Sequence, residues 1–158
     1  MLVVIIAVFG AVVGSFLNVC IRRIPQEESI VRPGSHCPAC KTPIRPYDNV
    51  PLLSFILLRG RCRACGEAIG LRYPLVELLT AVAFVALFVR FGITIDFGVA
   101  AAFVAALIAI SFIDLDHRII PDVISLPGIV IGFVLALIGL GPSWQDSLGG
   151  ILIGGGFL

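Results

Sequence analysis

The chain has 158 residues, of which 59% are hydrophobic, and a mean hydropathy of +1.11. Soluble domains are about 45–50% apolar, so a globular core in water is excluded and an all-α, polytopic membrane protein is expected. The formal net charge is only +1, so the balance points to a lipid bilayer and to no nucleic-acid partner.

Residues Met1–Ile21 carry no charge and end at Arg22-Arg23. About 20 apolar residues cross a bilayer as helix. A cleaved signal peptide puts its positive charge before the apolar run and a small-residue site after it. Here the charge follows and no such site is visible, so 1–21 reads as a retained first membrane helix with its N-terminus outside. Gly10-Ala-Val-Val-Gly14 fits G-x-x-x-G, with Ser15 and Asn18 continuing a small or polar stripe. Such stripes pack helices closely; the other reading of Asn18 is that it lines a substrate groove. Cys20, inside this helix, reads as a small buried side chain.

Residues 22–73 form a polar loop. Nine of the eleven basic residues lie in Arg22–Arg72 against four acidic ones, a local net charge of +5. That excess places the loop in the cytoplasm. It carries Cys37-Pro-Ala-Cys40 and Cys62-Arg-Ala-Cys65, separated by twenty-one residues. Two C-x-x-C knuckles at this spacing supply four thiolates for tetrahedral Zn²⁺, the pattern of a zinc ribbon. With Cys37, Cys40, Cys62 and Cys65 all ligating, the site is closed, so the metal is structural and supplies the folding energy of a loop with little core. His36 is a spare ligand that the four cysteines make unnecessary. Disulfides are disfavoured in the cytoplasm, and a thiol-redox role lacks the βαβ context.

Beyond the loop, Leu75–Val89 is apolar except for Glu77, which is placed to pair with Arg72 or the ribbon. Phe97–Ile113 is seventeen residues without charge, and Val123–Gln145 is twenty-three. Ser147–Leu158 is twelve, about 18 Å of helix against a hydrocarbon core of about 30 Å. Four full membrane helices and a cut-off fifth are expected, and no helix stop follows Gly154-Gly155-Gly156-Phe157-Leu158. The loop, with 1–21 and 74–92, forms an N-terminal unit; 97–158 begins a second. Alternation places Phe91–Asp96 and Gly141–Asp146 outside and Asp114–Asp122 inside, on the side of the cysteine loop.

The segment Asp114-Leu-Asp116-His117-Arg118-Ile-Ile-Pro121-Asp122 sets three carboxylates, a histidine and an arginine between two apolar runs. Ionisable groups at a membrane boundary are costly unless paired or used. One reading is an interfacial salt bridge with a charged turn, Pro121 breaking the helix and Asp114 beside His117 or Arg118. The other is an aspartyl site, in which two carboxylates share a proton. Asp114 is then the best candidate, since it emerges directly from the apolar run, while Asp116 and Asp122 look more exposed.

Gly14-Ser-Phe-Leu-Asn-Val-Cys-Ile-Arg-Arg-Ile-Pro25, the paired C-x-x-C loop, Arg72-Tyr-Pro-Leu-Val-Glu77 and Phe112-Ile-Asp-Leu-Asp-His-Arg-Ile-Ile-Pro-Asp122 together resemble the bacterial type IV prepilin leader peptidases, in order along nearly the whole chain. These are membrane aspartyl endopeptidases that also N-methylate. The resemblance implies that Asp114 is the first catalytic aspartate and that Cys37, Cys40, Cys62 and Cys65 are a zinc set. It also implies that Gly60 belongs to a loop serving methyl transfer from S-adenosylmethionine. The implied substrates are prepilins or type II secretion pseudopilins, cut after a glycine at the inner (cytoplasmic) membrane of a bacterium. The family's second aspartate sits in a G-x-G-D motif, which these residues lack, so the chain reads as an inactive, C-terminally truncated part of such an enzyme. The alternative is a non-catalytic membrane zinc-binding module that holds pilin or assembly partners.

Overall fold

In a bilayer the backbone finds hydrogen-bond partners only in itself, so charge-free runs become helices. The computed structural model describes residues 1–140 and 142–156. Six α-helices follow in order: α1 Leu2–Arg23, α2 Leu53–Leu57, α3 Arg72–Phe91, α4 Ile95–His117, α5 Asp122–Leu137 and α6 Trp144–Gly156. Among the described residues there is no strand, only two isolated bridges inside the cysteine loop. Helices α1, α3 and α4 are long and apolar enough to cross a membrane.

These three helices pack together. A cluster of Leu17, Ile21, Val76, Ile108, Ala109 and Ile113 fills the end nearer the cysteine loop. Ile6, Phe84 and Ala101 fill the other, where Phe97 meets Phe84 and Phe88 edge-on. Outward, Val4, Val12, Phe16, Val82 and Phe103 are exposed; an apolar outer surface of this kind suits hydrocarbon, not water.

The G-x-x-x-G stripe packs helices, as expected. A Cβ on Gly10 would lie 2.8 Å from Ala81 Cα, and one on Gly14 would lie 2.7 Å from Glu77 Cα. Only glycine lets the α1 backbone approach α3 so closely. Thr80, fully buried at the same seam, donates its hydroxyl to Val76 O at 2.7 Å.

Later elements depart from expectation in their ends. Helix α4 does not run to Pro121: it stops at His117, where Arg118 takes a left-handed φ of 55° and donates its N–H to Asp114 O at 2.7 Å. The twenty-three-residue run from Val123 gives a helix of only 16 residues, about 24 Å long and shorter than a hydrocarbon core of about 30 Å. The stop is Gly139, at φ 78°, with Leu140 N–H donating to Leu135 O at 2.9 Å. A positive φ is the usual glycine signal that ends a helix. Helix α6 is started by Ser143, which accepts the Asp146 N–H at 3.2 Å and donates to the Asp146 carboxylate at 2.7 Å. Gly141 in the expected outer turn, and Phe157 and Leu158 in the expected cut-off span, lie outside the described residues.

Replacing Gly14 with leucine forces α1 and α3 apart. The expected result is a loss of about 1–3 kcal/mol or more, the range for overpacking a tight core, read as a lower thermal midpoint in detergent. An unchanged midpoint would show that the two helices do not meet at this glycine.

Candidate functional site

The cysteine loop is built from two matching knuckles. In the first, Lys41 N–H donates to Cys37 O at 2.9 Å and Cys37 N–H to Thr42 O at 3.0 Å. In the second, Gly66 N–H donates to Cys62 O at 2.9 Å and Cys62 N–H to Glu67 O at 2.8 Å. Each turn needs a left-handed residue just after its second cysteine. Gly66 supplies it at φ 73°, while Lys41 takes it at φ 60°, where a side chain costs about 1–2 kcal/mol. Both positions share the same offset from the cysteines, a signal visible in the sequence.

The knuckles bring all four thiols together. The sulfurs of Cys37, Cys40, Cys62 and Cys65 lie within 4.8 Å of one another, with Cys37 Sγ and Cys65 Sγ 3.8 Å apart. A tetrahedral site with Zn–S bonds of ~2.3 Å has sulfur–sulfur edges of about 3.8 Å. The donor set therefore has the geometry and softness of a tetrathiolate metal centre. Its electrostatics agree. Thr42, with its hydroxyl and backbone at Cys40, lowers that thiol to about 6. The backbone at Cys65 and Ala64 lowers Cys62. The Glu67 backbone also lowers Cys65, but desolvation and the three neighbouring sulfurs outweigh it and push Cys65 up to about 12. Without a cation the cluster resists holding four negative charges; a divalent ion removes that conflict.

Side chains brace the ribbon. Arg63 makes a forked pair with Asp48 at 2.7–3.1 Å, which holds the Asp48 carboxyl below its usual range. The Tyr47 ring lies 5.8 Å from the Arg45 guanidinium and 5.7 Å from that of Arg63. Arg23, buried at the end of α1, donates to Ser29 O at 2.9 Å and Gly34 O at 3.2 Å. Gly60, at φ 66°, ends the α2 turn: its N–H donates to Phe55 O at 2.8 Å and its carbonyl accepts Ile69 N–H at 2.7 Å. A Cβ there would press on the Phe55 ring at 3.1 Å.

A cavity of about 780 Å³ separates the ribbon from the helix ends, walled on the helix side by Ser15, Asn18, Arg22, Tyr73 and Glu77. Gly60 does not line it. Asn18 joins both readings of the stripe. Its amide donates to Gly14 O at 3.3 Å and Tyr73 O at 3.0 Å, tying α1 to α3, while it also borders the cavity. Its Oδ1 is buried without a partner among the described residues. Glu77 pairs with the loop and not with Arg72: its Oε2 accepts the Leu52 N–H at 2.8 Å.

Arg72 instead pairs with Asp116. Arg72 is the first residue of α3, where the chain leaves the ribbon, and Asp116 lies in the last turn of α4. This ion pair puts the aspartate turn and the cysteine loop at the same end of the bundle. Asp114 sits one half-turn before Asp116 and is exposed, as are Asp116 and Asp122. The spacing of Asp114 to His117 or Arg118 does not yield a salt bridge; α4 has ended by Arg118, whose backbone is left-handed, so the helical spacing does not carry through to it. The Arg72–Asp116 partnership spans forty-four residues, beyond what local spacing reveals.

Comparison with known proteins fits this layout. Residues 8–91 match the bacterial peptidase A24 N-terminal domain, and residues 101–158 match the type IV leader peptidase family. The prepilin leader peptidase/N-methyltransferase of Myxococcus xanthus is 47% identical over 96% of this chain and 45% of its own length. The protein of the same name from Pseudomonas aeruginosa is 38% identical, over 92% of this chain and 58% of its own. A type 4 prepilin-like proteins leader peptide-processing enzyme of Escherichia coli is 40% identical, over 96% and 63%. The chain thus spans about half the length of the curated relatives it matches. No solved structure matches it significantly. With both halves matched in order, the chain belongs to the bacterial type IV prepilin leader peptidase family.

Proposed function

We propose that this chain serves leader-peptide cleavage of type IV prepilins or type II secretion pseudopilins at the bacterial inner membrane, with N-methylation of the new N-terminus. The observation that carries the reading is the Arg72–Asp116 ion pair. It supports a site in which the residues beside Asp114 meet the exit of the cysteine loop, so that cleavage and modification share one membrane face. The positive loop charge supports the cytoplasm as that face. In this reading α5 and α6 are the fourth and fifth membrane segments. Residues 1–92 form one unit carrying the ribbon at 22–73, and 97–158 begin the peptidase unit.

Asp114 is one carboxylate of an aspartyl pair. Two such groups share a proton: the ionised one takes a proton from water as it attacks the scissile carbonyl, and the protonated one passes its proton to the carbonyl oxygen or leaving amine. A prepilin lies with its apolar helix in the bilayer and its leader toward the ribbon, so that its scissile peptide sits at the boundary where α4 ends. Cys37, Cys40, Cys62 and Cys65 would hold Zn²⁺, which would fix the ribbon's shape as a structural ion. The methyl group for the freed amine would come from S-adenosylmethionine. Gly60 acts on that step through loop shape: it closes the α2 turn over Phe55 beside the cavity.

Two outcomes follow. In the protein that carries these residues, Asp114→Asn reduces leader cleavage by about 10²–10⁴-fold, the range for a lost acid–base group, while metal content stays normal; cleavage within a few-fold of the parent removes Asp114 from the chemistry. Cobalt substitution gives the thiolate charge-transfer absorption of a tetrahedral sulfur site at about one ion per chain, and Cys62→Ser weakens it. A preparation that takes up no zinc or cobalt and instead cycles reversibly between thiols and disulfides would replace the metal site by a redox one.

A further inference from the structure

The cysteine loop contains one stretch that does not belong in water. Residues 50–58 are apolar except for Ser54. Ser54 is turned inward: its hydroxyl accepts the Val50 N–H at 3.0 Å and donates to Tyr47 O at 3.1 Å. The backbone of the stretch is likewise satisfied from within. Ser54 N–H donates to Val50 O at 3.0 Å, Ile56 N–H to Leu52 O at 3.1 Å and Leu58 N–H to Ser54 O at 2.9 Å. What α2 presents outward is hydrocarbon: Ile56 and Leu57 are each 70% exposed and Leu53 52%. Satisfied polar groups beneath an apolar exterior are what a lipid environment requires of a non-spanning segment.

The position of α2 names its surroundings. The Leu52 N–H is held by Glu77 on α3 at 2.8 Å. Glu77 lies five residues into α3, about 7.5 Å along its axis from Arg72, so the loop folds back beside the membrane helix instead of standing off it. Around that level the outer faces of α1 and α3 are also apolar and exposed, at Phe16, Leu75 and Leu78, so the α2 surface continues the lipid-facing one. Directly after α2 come Arg59 and Arg61, both exposed and without a carboxylate partner among the described residues. An apolar turn with basic residues at its edge is the pattern of a segment lying in the bilayer interface beside anionic headgroups.

We propose that α2 lies in the plane of the membrane interface as a monotopic seat for the metal ribbon, with Leu53, Ile56 and Leu57 among the acyl chains and Arg59 and Arg61 on anionic lipid phosphates. The seat fixes the ribbon's height and tilt above the bilayer at a second point, apart from its two covalent connections to α1 and α3. The inference rests on α1, α3 and α4 spanning the bilayer and does not depend on the peptidase reading.

The test places a tryptophan at position 56 in a Trp144→Phe background, with the protein reconstituted in vesicles of phosphatidylcholine and phosphatidylglycerol. A second protein carries Val31→Trp, an exposed loop site, as the aqueous reference. Metal content and thiolate absorption report whether each ribbon is folded. Acyl-brominated lipid is expected to quench Ile56→Trp at least about twofold more than Val31→Trp, as burial in the headgroup–acyl boundary demands, with acrylamide showing the reverse order. Arg59→Gln with Arg61→Gln is expected to reduce the lipid quenching in anionic vesicles toward its value in phosphatidylcholine alone. Quenching of Ile56→Trp by acrylamide but not by brominated lipid would overturn the seat by showing the turn in water. Protection from both quenchers would overturn it equally, by showing a protein surface over the turn. Should Ile56→Trp misfold, Leu57→Trp repeats the measurement from the neighbouring side chain.

Discussion

The distance between α1 and α3 governs the rest of the molecule. Gly10 and Gly14 let the α1 backbone touch the α3 backbone at Ala81 and Glu77, with the small Thr80 side chain buried beside them. In a membrane, helices gain nothing by hiding apolar surface from lipid, so association relies on close packing of small residues and on polar contacts. With the seam closed, Asn18 reaches Tyr73 O, and Glu77 emerges where the ribbon's Leu52 N–H meets it. Helix α4 then packs Ile108, Ala109 and Ile113 onto Leu17, Ile21 and Val76, which sets the height at which Asp114 leaves the bundle. The cysteine ribbon and the aspartate turn thus inherit their relative position from two glycines in the first helix.

Much of this arrangement is legible in the sequence because bilayer physics is simple. Long apolar runs mark α1, α3 and α4, and the spacing of four cysteines marks a tetrahedral cluster whose sulfurs do converge. The small-residue stripe on α1 is legible as a packing face for the same reason. The less legible parts depend on single backbone conformations. Val123–Gln145 contains no charge to stop a helix, yet Gly139 stops it by adopting a positive φ. Arg118 does the same for α4, although arginine carries no such signal.

The pairing of charges was least legible. Glu77 and Arg72 stand five residues apart on one helix and suggest each other, but their partners come from elsewhere: a backbone N–H of the loop and a carboxylate at the end of α4. Sequence distance hides both contacts. Tyr47 is similar. Its position between Arg45 and Arg63 depends on the second knuckle folding back on the first, and only the three-dimensional arrangement reveals it. These are the contacts that turn two knuckles and three helices into a single site, so the sequence conveys the parts more readily than their assembly.

The bond between Leu52 and Glu77 has a consequence for how such a chain tolerates change. The donor is a main-chain N–H, which every residue except proline provides, whereas the acceptor is a specific carboxylate oxygen. The two sides of the contact are therefore unequal under substitution. For this bond position 52 needs only its amide, its choice of side chain being limited instead by a left-handed φ of 60°, while position 77 must keep an acceptor of the same reach. A loop attached in this way is able to drift in sequence without losing its foothold, and the constraint falls on the membrane helix that holds it.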